Sequence, residues 1–287
     1  MTELFRRSWS LTIGTLKIDA TDINVPSLSV NFVVTKSLKR EPNSIELDIT
    51  NLSPSHREEI EGMSDVAIEL SAGYVDAEDV IFSGDLRVAK NKKKPKLKIG
   101  SSREQIEVIT EIDGEDGGRY YRSSRVNKSY APGTGVITVL QDAVSAMGIG
   151  VGNLSEYAGE QIEGLGATFA EGAVLYGRAH EELNRIVRSM GLTWSIQGGN
   201  LQLLKNSVPV QDAAVKLSSD TGLLGSPTKE SNGKIKANAL LIPELYPGRK
   251  VVLESKDLTA QAVVNRVVFK GDSAGNEWSA ALELKEY

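Results

Sequence analysis

Two hexapeptides set far apart constrain this chain more than any other feature. Val80-Ile81-Phe82-Ser83-Gly84-Asp85 lies within an apolar strand, a polar turn and a returning strand that run from Asp65 to Val88. Val267-Val268-Phe269-Lys270-Gly271-Asp272 sits in a second unit of the same grammar near the C-terminus. A unit written twice at a distance predicts two related β units in one chain. Gly-Asp after a strand is also ordinary turn chemistry, so the hexapeptides alone leave chance open and the other segments decide.

Those segments are mostly strand-like. Leu28, Val30, Phe32 and Val34 alternate with smaller or polar residues, as do Ile45, Leu47 and Ile49, and Pro42-Asn43 lies in the polar stretch between them. The pair predicts an antiparallel hairpin. Ser53 and Pro54 suit the cap and first position of a short helix to about Ile60, with Ser55 and Glu58 as a capping box. Val66, Ile68 and Leu70, then Val80, Phe82, Leu86 and Val88, resume the alternation, and Ile106, Val108, Thr110 and Ile112 add a further strand. Gly84 falls on the apolar face, which predicts a bulge or a close backbone approach. Residues 1–115 are therefore expected to form a small antiparallel β-barrel or sandwich.

The period then changes. Val136, Val139, Leu140, Ala143, Val144 and Met147 follow helical spacing up to Gly148, and Ala179, Leu183, Ile186, Val187 and Met190 do so up to Gly191. Leu192–Ile196, a turn at Gln197–Asn200, and Leu201–Leu204 make a tight hairpin, which completes a small α/β domain at residues 116–207. Beyond it, Ser218–Gly233 is expected to be loop-rich and Pro243–Gly248 a turn. Val251–Leu253, Ala262–Phe269 and Trp278–Leu284 are expected strands, forming a second β-barrel at residues 208–287. The fold class is thus α+β, mostly β: two small antiparallel β-barrel domains flanking a small α/β domain.

With 287 residues and 40% apolar content the chain can bury real cores, and its length suggests about two domains, with three small ones allowed. A net charge of -5 argues against a dedicated duplex-DNA binder. The absence of cysteine removes disulfides, thiolate metal sites and cysteine nucleophiles. The N-terminus lacks the continuous apolar run of a secretory signal, and no segment reaches the roughly 18–20 apolar residues that span a bilayer. A protein folded in a cytoplasm, without direct membrane insertion, is expected.

Catalytic patterns are sparse. His56 and His180 read as capping or surface residues, not as ligands or general bases. Gly148–Asn153 fails the dinucleotide fingerprint, since Asn153 replaces the last glycine and the run follows a helix. The acidic loop Asp113–Gly118 lacks the ligand order of an EF-hand and is expected to be a solvated turn. Among 38 acidic residues no pair stands out for glycoside hydrolysis. No catalytic, cofactor or metal residue is assigned. The run Lys90, Lys92, Lys93, Lys94, Lys96 and Lys98 carries no aromatic for base stacking; it reads as edge protection or, more sharply, as a docking site for an acidic partner.

Four stretches taken in order carry a resemblance: Glu69–Tyr74 followed by Val80–Leu86; Asp113-Gly114 through Tyr120–Val144; Leu217–Ser255; and Val267–Leu284. Together they resemble the baseplate hub family of phage tails and related contractile injection machines. The resemblance implies a non-enzymatic structural protein with two tube-like barrels per chain. It implies a homotrimer whose barrels form a near-sixfold ring, joining a hexameric tail tube to a trimeric spike. Tube, spike and tape-measure proteins would be its partners, and DNA only a cargo passing through the channel. The place would be the virion tail baseplate, after assembly in the host cytoplasm. No spike or lysozyme module follows the last strand, so the spike is expected to be a separate chain. Two other roles stay open from the residues: a tail-associated cell-wall-degrading enzyme and a glycan-binding β module.

Overall fold

Alternating apolar residues form strands here because each strand buries one face and leaves the other to solvent. The computed structural model describes residues 6–19, 28–95, 106–154, 168–205, 209–210 and 213–286. The first region holds β1 (Arg7–Ile13), β2 (Leu16–Asp19), β3 (Ser29–Ser37), β4 (Ser44–Thr50), α1 (Pro54–Glu61), β5 (Ala67–Tyr74), β6 (Ala77–Pro95) and β7 (Ile106–Glu115). The middle holds α2 (Gly118–Ser123), β8 (Arg125–Tyr130), β9 (Thr134–Gly135), α3 (Val136–Ala146), β10 (Thr168–Phe169), β11 (Ala173–Arg178), α4 (Ala179–Ser189), β12 (Leu192–Gln197) and β13 (Asn200–Lys205). The last region holds β14 (Val215–Leu217), β15 (Leu223–Lys229), β16 (Lys234–Leu240), β17 (Lys250–Glu254), β18 (Thr259–Asp272) and β19 (Trp278–Glu286).

The class is α+β and mostly β, with one large, almost wholly antiparallel sheet. Its order is β15-β16-β19-β18-β3-β4-β7-β6-β5-β1-β2, with β17 added on β18 and β14 on β17. The first and last regions are therefore hydrogen-bonded to each other: β3 pairs with β18 from Asn31↔Asp272 to Ser37↔Arg266. One apolar core runs through both, from Trp9, Leu11 and Phe32 to Phe269, Leu282 and Leu284. A separate core lies in the middle region, where Val139, Leu140 and Val144 of α3 meet Leu183 and Val187 of α4 beneath Trp194 and Leu203. Both helices end near a left-handed glycine, Gly148 (φ 64) and Gly191 (φ 68).

Three details depart from the sequence reading. Ser218–Gly233 is not all loop, because it contains β15. That strand pairs with β16 through a register slip between Leu224 and Thr228, where Gly225 and Pro227 break the period. At α1 the cap is Ser53 as expected, its Oγ accepting the His56 N–H at 3.3 Å; the departure is Ser55, which lies inside the helix with its Oγ 3.1 Å from Ser53 Oγ and so does not cap a box with Glu58. β1 is an added strand, its Trp9, Leu11 and Ile13 buried at period two. Among the described residues no helix is long and apolar enough to cross a membrane.

Candidate functional site

The first and last regions meet at a seam built around one arginine and one indole. Arg7 Nη1 donates to the carbonyl oxygens of Asp272 (2.9 Å) and Gly275 (2.6 Å), and Nη2 to that of Asn276 (3.0 Å). These carbonyls belong to the β18–β19 turn, which Asp272 braces by accepting the N–H groups of Ala274 and Gly275 at 2.9 and 2.7 Å. Trp278 follows the turn. Its indole N–H donates to Gly73 O of β5 (3.0 Å), Phe32 of β3 meets it edge-on at 5.4 Å, and the Arg7 guanidinium covers it at 5.5 Å. Strands β1, β3, β5 and β19 thus converge on one indole.

The two echoed hexapeptides lie inside strands, and their glycines make room. A Cβ on Gly84 would stand 2.6 Å from Glu115 O and 2.9 Å from Phe82 Cζ; one on Gly271 would stand 2.2 Å from Phe32 Cζ. Gly84 continues into β6, whereas Gly271 and Asp272 end β18 at a turn. Gly84→Ala and Gly271→Ala are each expected to cost about 1–3 kcal/mol as overpacking. Gly84→Ala is expected to cost more, because a backbone carbonyl yields less than a ring; urea unfolding of the two variants checks the order.

A second joint fixes the middle region to the sheet. Asp116 is buried (1% exposed), and its carboxylate accepts Gly198 N–H (2.8 Å), Gly199 N–H (2.7 Å) and Asn43 Nδ2 (3.3 Å). Asn43 also donates to Ile196 O at 2.8 Å, and Gln197 Nε2 donates to Ser37 O at 2.9 Å. The β12–β13 turn is thereby locked onto the β3–β4 hairpin. Burial pushes the Asp116 carboxyl above the ordinary carboxylate range, opposed by its hydrogen bonds and by Lys36. Burial likewise holds the Lys36 ammonium below the usual lysine range, with Asp116 and Asp79 pulling the other way.

The residues singled out in the sequence fall into structural roles. His56 sits in the first turn of α1. His180 opens α4 with its ring stacked on Tyr121 at 4.3 Å, and burial lowers its pKa. The acidic loop is not a solvated turn: Asp116 is the joint just described, and Glu115 holds Arg87 at 3.0 Å and also Arg122. In the glycine run, Asn153 bridges to β13 by donating to Leu203 O (2.9 Å) and accepting Leu203 N–H (2.8 Å). In the basic run, Lys92 pairs with Glu111 at 2.6 Å, and Asn91 donates to Glu61 of α1 at 2.8 Å, so the helix covers that edge. Lys96 and Lys98 lie outside the described residues. Among the described residues no group of three or more His, Asp or Glu side chains could hold a metal.

Arg7 and Asp116 escaped the sequence reading. For Arg7 the available signal was the alternation of Trp9, Leu11 and Ile13 behind it; for Asp116 none existed, since its partners Asn43, Gly198 and Gly199 are remote in sequence. What this arrangement does chemically is to hold three regions in one fixed relation.

No protein-family model matches the sequence, and no curated protein matches it. Solved structures do match along the whole chain. The 43 kDa tail protein of prophage MuSo2 from Shewanella oneidensis has a TM-score of 0.63 at 10% identity, covering 98% of this chain and 97% of that one. A tail protein from Neisseria meningitidis MC58 gives 0.62 at 9% identity, covering 98% and 97%. An E. coli component of the type VI secretion system, described as structurally similar to the T4 bacteriophage tail proteins gp27 and gp5, gives 0.58 at 12%, covering 96% and 76%. The chain shares the fold of these proteins.

Proposed function

We propose that this chain is a baseplate hub protein of a phage tail or a related injection machine, in which three copies form a ring that joins a hexameric tail tube to a trimeric spike. The observation that carries the reading is the end-to-end fold match, 98% of this chain against 97% of a prophage tail protein. A match of that extent involves the whole arrangement of sheet and middle region, not a single common module. On this reading residues 1–115 and 208–287 are two tube-like barrels, and residues 116–207 are the domain between them. Two similar units per chain let a threefold ring present a near-sixfold face, and heterologous contacts that close are an ordinary route to such rings. The role is structural and non-enzymatic, with tube, spike and tape-measure proteins as partners, DNA as passing cargo, and the virion baseplate as the place.

Light scattering and native mass spectrometry of the full chain test this. A trimer is expected, alone or on mixing with purified tube or spike protein. A chain that stays monomeric at all concentrations with both partners present would overturn the reading.

A further inference from the structure

Two surfaces of this chain carry opposite charges, each set in like-charge cross-strand register. The first is the ribbon β8–β11, a two-stranded sheet separate from the large one. Its inner face buries Val126 and Leu175, while its outer face presents Tyr176 at 75% and Val174 at 58% exposure. Arg125 and Arg178, both exposed, lie directly opposite each other across this ribbon. Like charges in direct cross-strand register are destabilising, and among the described residues these two arginines make one ion pair, Arg178 to Glu181 at 3.5 Å, with both side chains more than half exposed.

The second surface is a groove of about 370 Å³ on the outer face of β3, β4 and β7, bordered by Val33, Glu46, Asp48, Glu111 and Asp113. Val33, 37% exposed, is an apolar side chain within it. The register sets Glu46 opposite Asp113 and Asp48 opposite Glu111, two like-charge pairs side by side. Lys92 bonds Glu111 at 2.6 Å, yet among the described residues no cation makes an ion pair with Glu46 or Asp113.

We infer that the outer face of the β8–β11 ribbon of one copy seats in the β3–β4–β7 groove of the next copy, with Tyr176 on Val33 and Arg125 and Arg178 facing Glu46 and Asp113. The aromatic ring finds an apolar floor and the two arginines find the carboxylates, so one contact relieves both sets of like-charge repulsion. Complementary potentials of this kind fix partner and register. Ribbon and groove are different patches, so the contact is head to tail and generates a ring when its rotation closes. The inference rests on the ring reading above and names the surfaces that build it.

The chain has no cysteine, which makes the test direct in the full-length protein, with tube and spike added if assembly requires them. Tyr176→Cys and Val33→Cys chains are mixed and oxidised. A disulfide between the two variants is expected; no cross-link, or one only between Tyr176→Cys chains, overturns the inference. In parallel, Arg125→Glu with Arg178→Glu, or Glu46→Lys with Asp113→Lys, is expected to weaken assembly at least about tenfold, and combining all four is expected to restore it. Because these side chains are exposed, thermal unfolding of each variant followed by circular dichroism verifies that the fold is kept. A ring indifferent to every reversal sinks the proposed surfaces while the ring reading stands. A chain that never assembles sinks both. Reversals that leave the ring intact but abolish binding of tube or spike overturn the inference by assigning the ribbon to a different protein.

Discussion

Trp278→Ala is expected to lower the stability of the β regions by about 3–5 kcal/mol, the range for deleting a buried large aromatic. Trp278 is 4% exposed, and its ring is the common contact of Phe32, Arg7 and the Gly73 carbonyl. Truncation removes the packing, the indole's hydrogen bond to the Gly73 carbonyl and the face under the guanidinium. Trp278→Phe separates these effects: it keeps an aromatic ring but loses the indole donor, and a lost hydrogen bond costs about 0.5–1.5 kcal/mol. Guanidinium unfolding followed by circular dichroism measures both. Equal stability of Trp278→Ala and wild type would mean that the seam at this indole holds nothing together.

Asp116→Ala is the second large expected loss, about 2 kcal/mol or more, since it removes the acceptor of the part-buried Gly198 and Gly199 N–H groups at about 1 kcal/mol or more each, while Asn43 keeps its bond to Ile196 O. The loss should be local to the joint, so hydrogen exchange at Gly198 and Gly199 is expected to quicken first. The pH dependence has a definite sign. Burial raises the native pKa of Asp116, so the folded chain holds this proton more firmly than the unfolded one. The stability linked to it is fully present below about pH 3.9, the unfolded value, and is lost as pH rises through the native pKa. Asp116→Asn has no such proton. The stability of wild type relative to Asp116→Asn is therefore expected to fall as pH rises through that window and to be flat above it. Denaturation series on both proteins at several pH values check the slope, and a difference that grows with pH would contradict it.

Alternation and helical spacing made most elements legible. Val30, Phe32 and Val34 announce β3; Val139, Leu140 and Val144 announce α3; and Gly148 and Gly191 mark where the helices stop. These are local signals, and they held because each strand has one face in a core. β15 was hidden because Gly225 and Pro227 spoil its period and only pairing with β16 makes it a strand. The joints were hidden for a different reason. Arg7 finds its acceptors 265 and more positions away, and Asp116 is a chain-local acid until the β12–β13 turn is brought to it. Such contacts depend on which edges meet, and side-chain type alone does not encode that. No reactive centre was assigned from the sequence; what carries the proposed role is an arrangement of surfaces.

The pairing of β3 with β18 also governs the order of events during synthesis. Loop closure over so long a separation is slow, and translation delivers β18 long after β3. Until then β3 exposes a row of free amide and carbonyl groups, the kind of edge that recruits strands from other chains. A newborn copy is thus open to exchanging β18 with a neighbour on the same polysome, and the Arg7 clasp on the β18–β19 turn favours the hairpin of its own chain. Each polypeptide that makes this pairing for itself has closed its sheet before it meets a sibling.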